Sequence, residues 1–413
     1  MKLVLLLTLV NILNYLDRNL VQAVRPALDA EWRLSQAESG FLVSAFVIGY
    51  AFFSPVAGVL AHRLHRPRLL ALGVAIWSLG TCATGIAPSQ LLFTLARITV
   101  GIGESLFVTV AATYLRDLLV DPVRITRAFS LFYAAIPIGS ALGYVVGGWV
   151  ASRASWQTAF FVGGVPGFLC LPFLWRLPAV AAETPHDRGA HEKGGSHWYA
   201  LAQVFHYPAA IGIIAGYVAN TFALAGIAAN VASHGTSLGF SLEQVGTRFG
   251  ITLVVSGLLG TVGGGWLSSF IAGRFQSRER AMLLFCAITA GISCPLLLAA
   301  LETPSKELFI FLCFVAELFI FAGTAPVNSL LVTVVPPSLV GATQGLSIAA
   351  INLLGSFLAP LMVGLIADSF SLRWGLHLCT IALALSGIVW FVTAKGLRRR
   401  GEISPMVTDE GGA

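Results

Sequence analysis

Apolar stretches of about 20 residues, the length a helix needs to cross the roughly 30 Å hydrocarbon core of a bilayer, recur along this 413-residue chain. They fall near 3–24, 39–61, 69–87, 91–115, 127–150, 157–176, 206–232, 246–270, 281–301, 307–334, 341–367 and 374–395, twelve in all. The connections are short and polar except for 177–207, which holds Pro178, Pro185, Gly189, Gly194, Gly195 and charges of both signs. The pattern predicts an all-α integral membrane protein of twelve transmembrane helices in two pseudo-symmetric six-helix bundles. These are residues 1–176 and 206–395, with a linker at 177–205 and a polar tail at 396–413. The basic loop at 273–280 is a degenerate copy of the one at 62–68, as a tandem repeat requires. Two such halves place a substrate site between them, near the membrane midplane.

Composition agrees: 56% of the residues are apolar and 11% charged, against about a quarter charged in soluble domains. The net charge of +6 is spread over short loops and does not form the single basic face of a nucleic-acid binder. Of the 25 Lys and Arg, 17 lie at the chain ends and in the even-numbered loops, which by the positive-inside rule puts both termini in the cytoplasm of a multi-pass cell-membrane protein. The six cysteines all fall inside the spans and read as small apolar packing residues. Lys2 before an apolar run resembles the start of a signal peptide, but the run continues through Asn11, Asn14 and Asp17 without a small-residue cleavage site.

The charges within the spans carry the chemistry. Arg97 and Glu104 lie seven residues apart, nearly two helical turns, so they share one face about 10 Å apart. A charge near the bilayer centre costs about 2.5–3.5 kcal/mol on insertion scales, so each marks a functional site with a partner to be found. The expected partners are Asp17 and Arg18, on a first helix whose Asn11, Asn14 and Arg18 form a polar stripe. The bland alternative is that Asp17 and Arg18 merely pair with each other or with neighbours and the asparagines are interhelical glue. In the fifth span Gly139, Gly143 and Gly147 allow close helix approach, and Pro137 permits a kink, which suits both plain packing and a rocking helix. The second half offers Tyr217, Asn220, Thr221, Asn328 and Asn352, with Glu317 either a site residue or a side chain snorkelling from a helix end. The irregular spacing of His186, His191 and His197 is a poor metal signature, and no metal or cofactor is expected. No nucleophile, metalloprotease or phosphate-cradling motif is placed for catalysis, so an enzyme is not expected.

Several motifs resemble one family. Gly58, Arg63, Arg66 and Arg68 fit the short basic loop between the second and third helices of the major facilitator superfamily, with His62 standing where that pattern has an aspartate. Asn14-Tyr15-Leu16-Asp17-Arg18, then Arg97 with Gly101, Gly103 and Glu104, then Phe132-Tyr133 through Pro137, Ser140 and Tyr144, resemble the spinster-like branch, in its bacterial form. Phe249-Gly250-Ile251-Thr252, Gly257, Gly260 and Glu317 extend the likeness into the second half. The resemblance implies an alternating-access, proton-coupled carrier of lysolipids such as sphingosine phosphate or lysophospholipids. Asp17 and Glu104 then match the proton-handling carboxylates, and Arg18 and Arg97 the arginines near the polar head. Asn14, Tyr133, Asn220 and Glu317 complete the candidate substrate site, and Gly58, His62 and Arg63 the gate. The expected partners are a lipid-like or anionic small molecule, protons and membrane lipids, for a monomer that binds no nucleic acid. A proton-coupled carrier of a small organic anion, such as a sugar acid, remains the alternative.

Overall fold

The computed structural model describes residues 2–118, 122–178, 197–336 and 339–401. Its twelve helices long and apolar enough to cross a membrane are labelled in chain order. The first half holds α1 (Lys2–Trp32), α2 (Gln36–Arg63), α3 (Arg66–Gly85), α4 (Gln90–Leu118), α5 (Pro122–Arg153) and α6 (Trp156–Trp175). The second holds α7 (Pro208–Ser237), α8 (Leu242–Ala272), α9 (Arg278–Glu302), α10 (Lys306–Thr333), α11 (Val340–Ser369) and α12 (Leu372–Gly401). Among the described residues there is no strand.

Every expected span is present, and the departures have physical causes. α1 continues two turns beyond its apolar run, through Pro26 to Trp32. Hydropathy marks the hydrocarbon boundary and not the helix end, and Arg25 with Asp29, an i,i+4 ion pair at 3.4 Å, carries the helix on. α10 breaks at Gly323, three residues before Pro326, whose nitrogen cannot donate to the preceding turn. α11 is π-helical over Ile351–Phe357, where Gly355 lies against Thr221 and Val218 of α7. The linker contains a short helix, His197–Val204, and α12 runs to Gly401, into the stretch expected to be tail. His186, His191 and the far tail lie outside the described residues.

Glycines set the helix spacing around α4. A Cβ on Gly49 or Gly101 would strike the backbone across the α2/α4 seam, and one on Gly73 or Gly103 would strike it across the α3/α4 seam. α4 is therefore pressed between two neighbours at backbone distance. The glycine ladder of α5 works in the same way: Gly139, Gly143 and Gly147 seat α1, while Gly148 faces Leu242 of α8. α5 thus packs on both halves.

The two halves echo one another where they meet. Ser35 caps α2 in a reciprocal box with Glu38, and Ser241 caps α8 in the same way with Gln244. Five residues after each cap stands a glycine in cross-half contact, Gly40 against the Pro360 carbonyl of α11 and Gly246 against the Tyr144 carbonyl of α5. One residue after each cap, Gln36 meets Gly364 and Leu242 meets Gly148. This twofold correspondence closes the halves at the end that carries the loop 33–35. Toward the opposite end α2 and α11 are bare: Gly58, Gly341 and Gly345 have nothing within 4 Å of where a Cβ would stand, and Phe52 is 77% exposed. The molecule is closed at one end and open at the other.

Gly101→Val should lower stability by about 1–3 kcal/mol, the usual cost of overpacking, read as an earlier thermal unfolding transition in detergent. Gly263→Ala, whose new methyl group meets nothing within 4 Å, should leave that transition in place. Equal behaviour of the two would show that the α4 seams are not close-packed.

Candidate functional site

The glycine seams bring α1, α2, α3 and α4 close enough for short side chains to meet at mid-span. Asp17 and Arg18 are consecutive on α1 and so point about 100° apart. Each therefore finds a different partner on α4. Arg97 Nη1 stands 3.5 Å from Asp17 Oδ1, with both side chains fully buried. Arg18 holds Glu104 Oε2 through Nη2 at 2.8 Å and Nε at 3.1 Å. The expected four residues are thus brought together as two pairs between the same two helices, and Asp17 and Arg18 pair with these neighbours and not with each other.

The pairs differ in access and in support. Thr81 of α3 stands 2.7 Å from Asp17 Oδ2 and 2.9 Å from the Trp77 carbonyl, and its single proton is better given to the charged oxygen. Arg18 is 18% exposed while its partner Glu104 is fully buried, so the Arg18 guanidinium is the part of the network that faces the open side. Three aromatic rings surround that guanidinium, Tyr15 at 5.0 Å, Phe46 at 4.8 Å and Tyr50 at 5.0 Å, with favourable cation–π geometry. Phe46 and Tyr50 were not singled out from the sequence. Their i,i+4 spacing puts them on one face of α2, but Phe41, Phe52 and Phe53 on the same helix leave that spacing without a distinguishing signal in the sequence.

The network is not saturated from within. Among the described residues, the three guanidinium nitrogens of Arg97, both amide atoms of Asn14, and Glu104 Oε1 have no hydrogen-bond partner. Buried polar groups in native proteins are nearly all satisfied, so such a concentration of free donors and acceptors marks a place able to hold a polar solute. Asn11, a turn nearer the open end, is fixed by donating to the Phe132 carbonyl of α5 at 2.9 Å.

The remaining candidates lie outside the two ion pairs, with Tyr133 close to the rings of Tyr15 and Tyr50. Tyr133 is 45% exposed on α5, beside Phe132. Asn220 is buried in α7. Glu317 is 1% exposed in the middle of α10 and accepts from Ser256 of α8 at 3.1 Å. It does not snorkel to a helix end, and among the described residues it forms no ion pair. Asn328 donates to the Tyr217 hydroxyl at 3.3 Å on an exposed face. Gly58 is bare, and the side chains of His62 and Arg63 lie outside the described residues.

Breaking a buried ion pair from one side costs about 3–5 kcal/mol because a charge is left behind. Arg97→Met should lower stability by that order, and Asp17→Asn combined with Arg97→Met by clearly less than the sum of the two single changes. Strict additivity of the unfolding shifts would show that the two groups do not interact.

Comparison with known proteins places this geometry. The model of the Major Facilitator Superfamily matches residues 7–360. Spinster homolog 1 of Bos taurus is 30% identical over 95% of this chain and 80% of its own length, and that of Homo sapiens is 29% identical over 97% and 82%. A probable sphingolipid transporter of Arabidopsis thaliana, spinster homolog 2, is 26% identical over 89% of this chain and 81% of its own. The fold is similar to the crystal structure of a bacterial homologue of the human lysosomal transporter spinster in an inward-facing, unoccupied conformation. The TM-score there is 0.85, at 21% identity over 96% of this chain and 97% of that one. A D-xylose–proton symporter shares the fold at a TM-score of 0.70, at 18% identity over 95% and 96%. The chain belongs to the major facilitator superfamily, in its spinster-like branch, and is a multi-pass membrane transporter.

Proposed function

We propose that this transporter works by alternating access, coupled to protons, and carries a lysolipid or a similar amphiphilic anion across the membrane. One observation carries the reading: among the described members of the buried charge network, Arg18 alone has a partly exposed side chain, and its guanidinium is set among aromatic rings. A phosphate or carboxylate head would be drawn to Arg18, which presents a planar fork of donors matched to such a group. The aromatic surfaces of Tyr15, Phe46 and Tyr50 would lie against the first carbons of the tail. Across the opening, Gly341, Gly345 and Ile348 of α11 offer a largely apolar wall. The name of the Arabidopsis relative, a probable sphingolipid transporter, supports an amphiphilic lipid as cargo.

Arg18 also suggests how coupling works. It is the cationic partner of Glu104, and an anionic head that engages it competes with that carboxylate. A carboxylate deprived of its cation in a dry site is costly, so it takes up a proton instead. Binding of the anion and protonation of Glu104 are then linked through one guanidinium. Asp17 and Arg97 form the second, deeper pair, able to exchange partners in the same way when the halves rearrange. With both termini in the cytoplasm of a cell membrane, the open side is the inner one. Tyr133, Asn220 and Glu317 remain proposed contacts for the rest of the substrate, and Gly58, His62 and Arg63 for the gate.

Uptake or efflux of a fluorescent lysophospholipid in proteoliposomes, with and without an imposed pH gradient, tests this. Gradient-dependent flux should appear with the wild-type chain and fall to the level of empty vesicles in Glu104→Gln. Flux that keeps its pH dependence in that variant would remove Glu104 from the coupling. Transport of a short organic anion without any lysolipid flux would move the substrate to the small-anion class, for which Asn328, Tyr217 and Asn352 supply polar contacts in the second half.

A further inference from the structure

The polar stripe on α1 does not stop at the charge network. Asn11, Asn14, Arg18, Gln22, Arg25 and Asp29 follow one another at spacings of three or four and share a face that runs from the open end to the closed one. Gln22 accepts from the Tyr144 hydroxyl, which also lies 2.6 Å from the Ala228 carbonyl of α7. Arg25, a turn further on, is a fully buried cation that sits between the two halves.

Its bonds divide by half. Toward α2 of the first half, Nε donates to Ser39 Oγ at 2.6 Å and Nη2 to Gln36 Oε1 at 3.0 Å, with Asp29 of its own helix 3.4 Å away. Toward the second half, Nη1 donates to the Ala229 carbonyl at 3.0 Å and to Asn230 Oδ1. Asn230 is itself oriented, because its Nδ2 donates to the Gly226 carbonyl at 2.8 Å and leaves Oδ1 turned to the arginine. One nitrogen of the guanidinium therefore crosses the interface while the others stay at home.

We propose that Arg25 is the tie that holds the halves together at the closed end, and that this end opens by release of Nη1 from Ala229 and Asn230. The division of its bonds makes the step feasible. A buried arginine stripped of every partner would be prohibitive in this environment, but Asp29, Ser39 and Gln36 travel with the first half and keep the charge satisfied. The other polar links toward this end are of a different kind, the buried bond from the Tyr144 hydroxyl toward the Ala228 carbonyl being uncharged. Arg153 and Glu243 are both largely exposed at 3.2 Å, a type of pair that contributes little. Asp368 of α11 accepts from the Gln36 and Ala37 backbone N–H groups at 2.6 and 2.9 Å, at the exposed start of α2. Arg25 also stands outside the twofold correspondence of the caps and glycines, since the interval that carries Ser35 to Ser241 carries Arg25 to Val231. The glycine seats provide a symmetric surface, and a single off-axis cation fastens it. Arg25 is here a positioning residue, two turns along the same face from Arg18.

The test reads conformation with no substrate present, so it stands or falls apart from the identity of the cargo. The full chain in lipid nanodiscs, with the partly exposed Cys82 and Cys294 replaced by serine, carries spin labels at exposed positions on opposite halves. One pair, at Arg33 and Pro304, reports the closed end, and another, at Arg176 and Ser277, the open end. Asn230→Ala leaves every first-half partner of Arg25 in place. It should raise the long-distance population of the 33/304 pair severalfold and shorten the 176/277 pair in step. Arg25→Met should act in the same direction, and if it fails to fold, Asn230→Ala decides alone. Unchanged distances in folded Asn230→Ala would overturn the proposal, as would lengthening at the closed end without the reciprocal shortening, which is local fraying.

Discussion

A charge inside a membrane protein has to be matched by another side chain, because neither lipid nor bulk water is there to solvate it. This constraint organises the first half of the chain. Asp17, Arg18, Arg97 and Glu104 are tolerated at depth because α1 and α4 present them to one another as two ion pairs. That arrangement in turn requires the helices to lie close, which is why glycines line both seams of α4. A larger residue at Gly101 or Gly103 would press on the helices that supply Phe46, Tyr50 and Thr81 to the same site. Spacing, pairing and the aromatic surround are one structural solution.

The constraint is met differently at the two depths of the network. Asp17 and Arg97 are fully buried, and Thr81 donates to the carboxylate's second oxygen. Arg18 shares its charge between Glu104 and the open side. A pair with one accessible member can be rearranged by a solute, whereas a sealed pair responds only when helices move. The first is suited to recognition and the second to following the conformational change. Among the described residues the second half buries one carboxylic residue, Glu317, beside Ser256, and one imidazole, His234, and its other buried polar side chains include amides, hydroxyls and thiols. The buried ion pairs among the described residues at mid-span are therefore concentrated in the first half.

How the halves meet follows the repeat. The same cap and the same glycine positions recur on α2 and α8, so the contacts α2 to α11 and α8 to α5 are two versions of one surface. Backbone meets backbone at the glycines of both seams, with ring contacts beside them, Phe41 on Phe357 and Tyr144 on Phe249. Arg25 adds direction to that symmetric contact, since its hydrogen bonds exist in only one arrangement of the halves.

Much of this was legible in the chain itself. Twelve apolar runs, a long polar connection after the sixth and an excess of basic residues in alternate loops determine a twelve-helix membrane protein in two halves, because hydrocarbon admits so few backbone solutions. The four ionisable residues that matter were equally visible, because a charge in an apolar run stands out against its surroundings. The pairing was not visible, since it depends on the rotation of α1 against α4, and a turn of 100° exchanges the direction of Asp17 for that of Arg18. Nor was the role of Arg25, which lies just past an apolar run and reads as a loop residue until α1 is seen to continue through Pro26 to Trp32. Phe46 and Tyr50 look like ordinary lipid-facing or core aromatics until α2 is seated on Gly101 and turned toward Arg18. Sequence determined which groups lie at membrane depth, because burial in hydrocarbon is a property of composition along one helix. Tertiary structure decided which of them touch, because contact depends on the distance and rotation between helices, and those are set by glycines and caps acting across the chain.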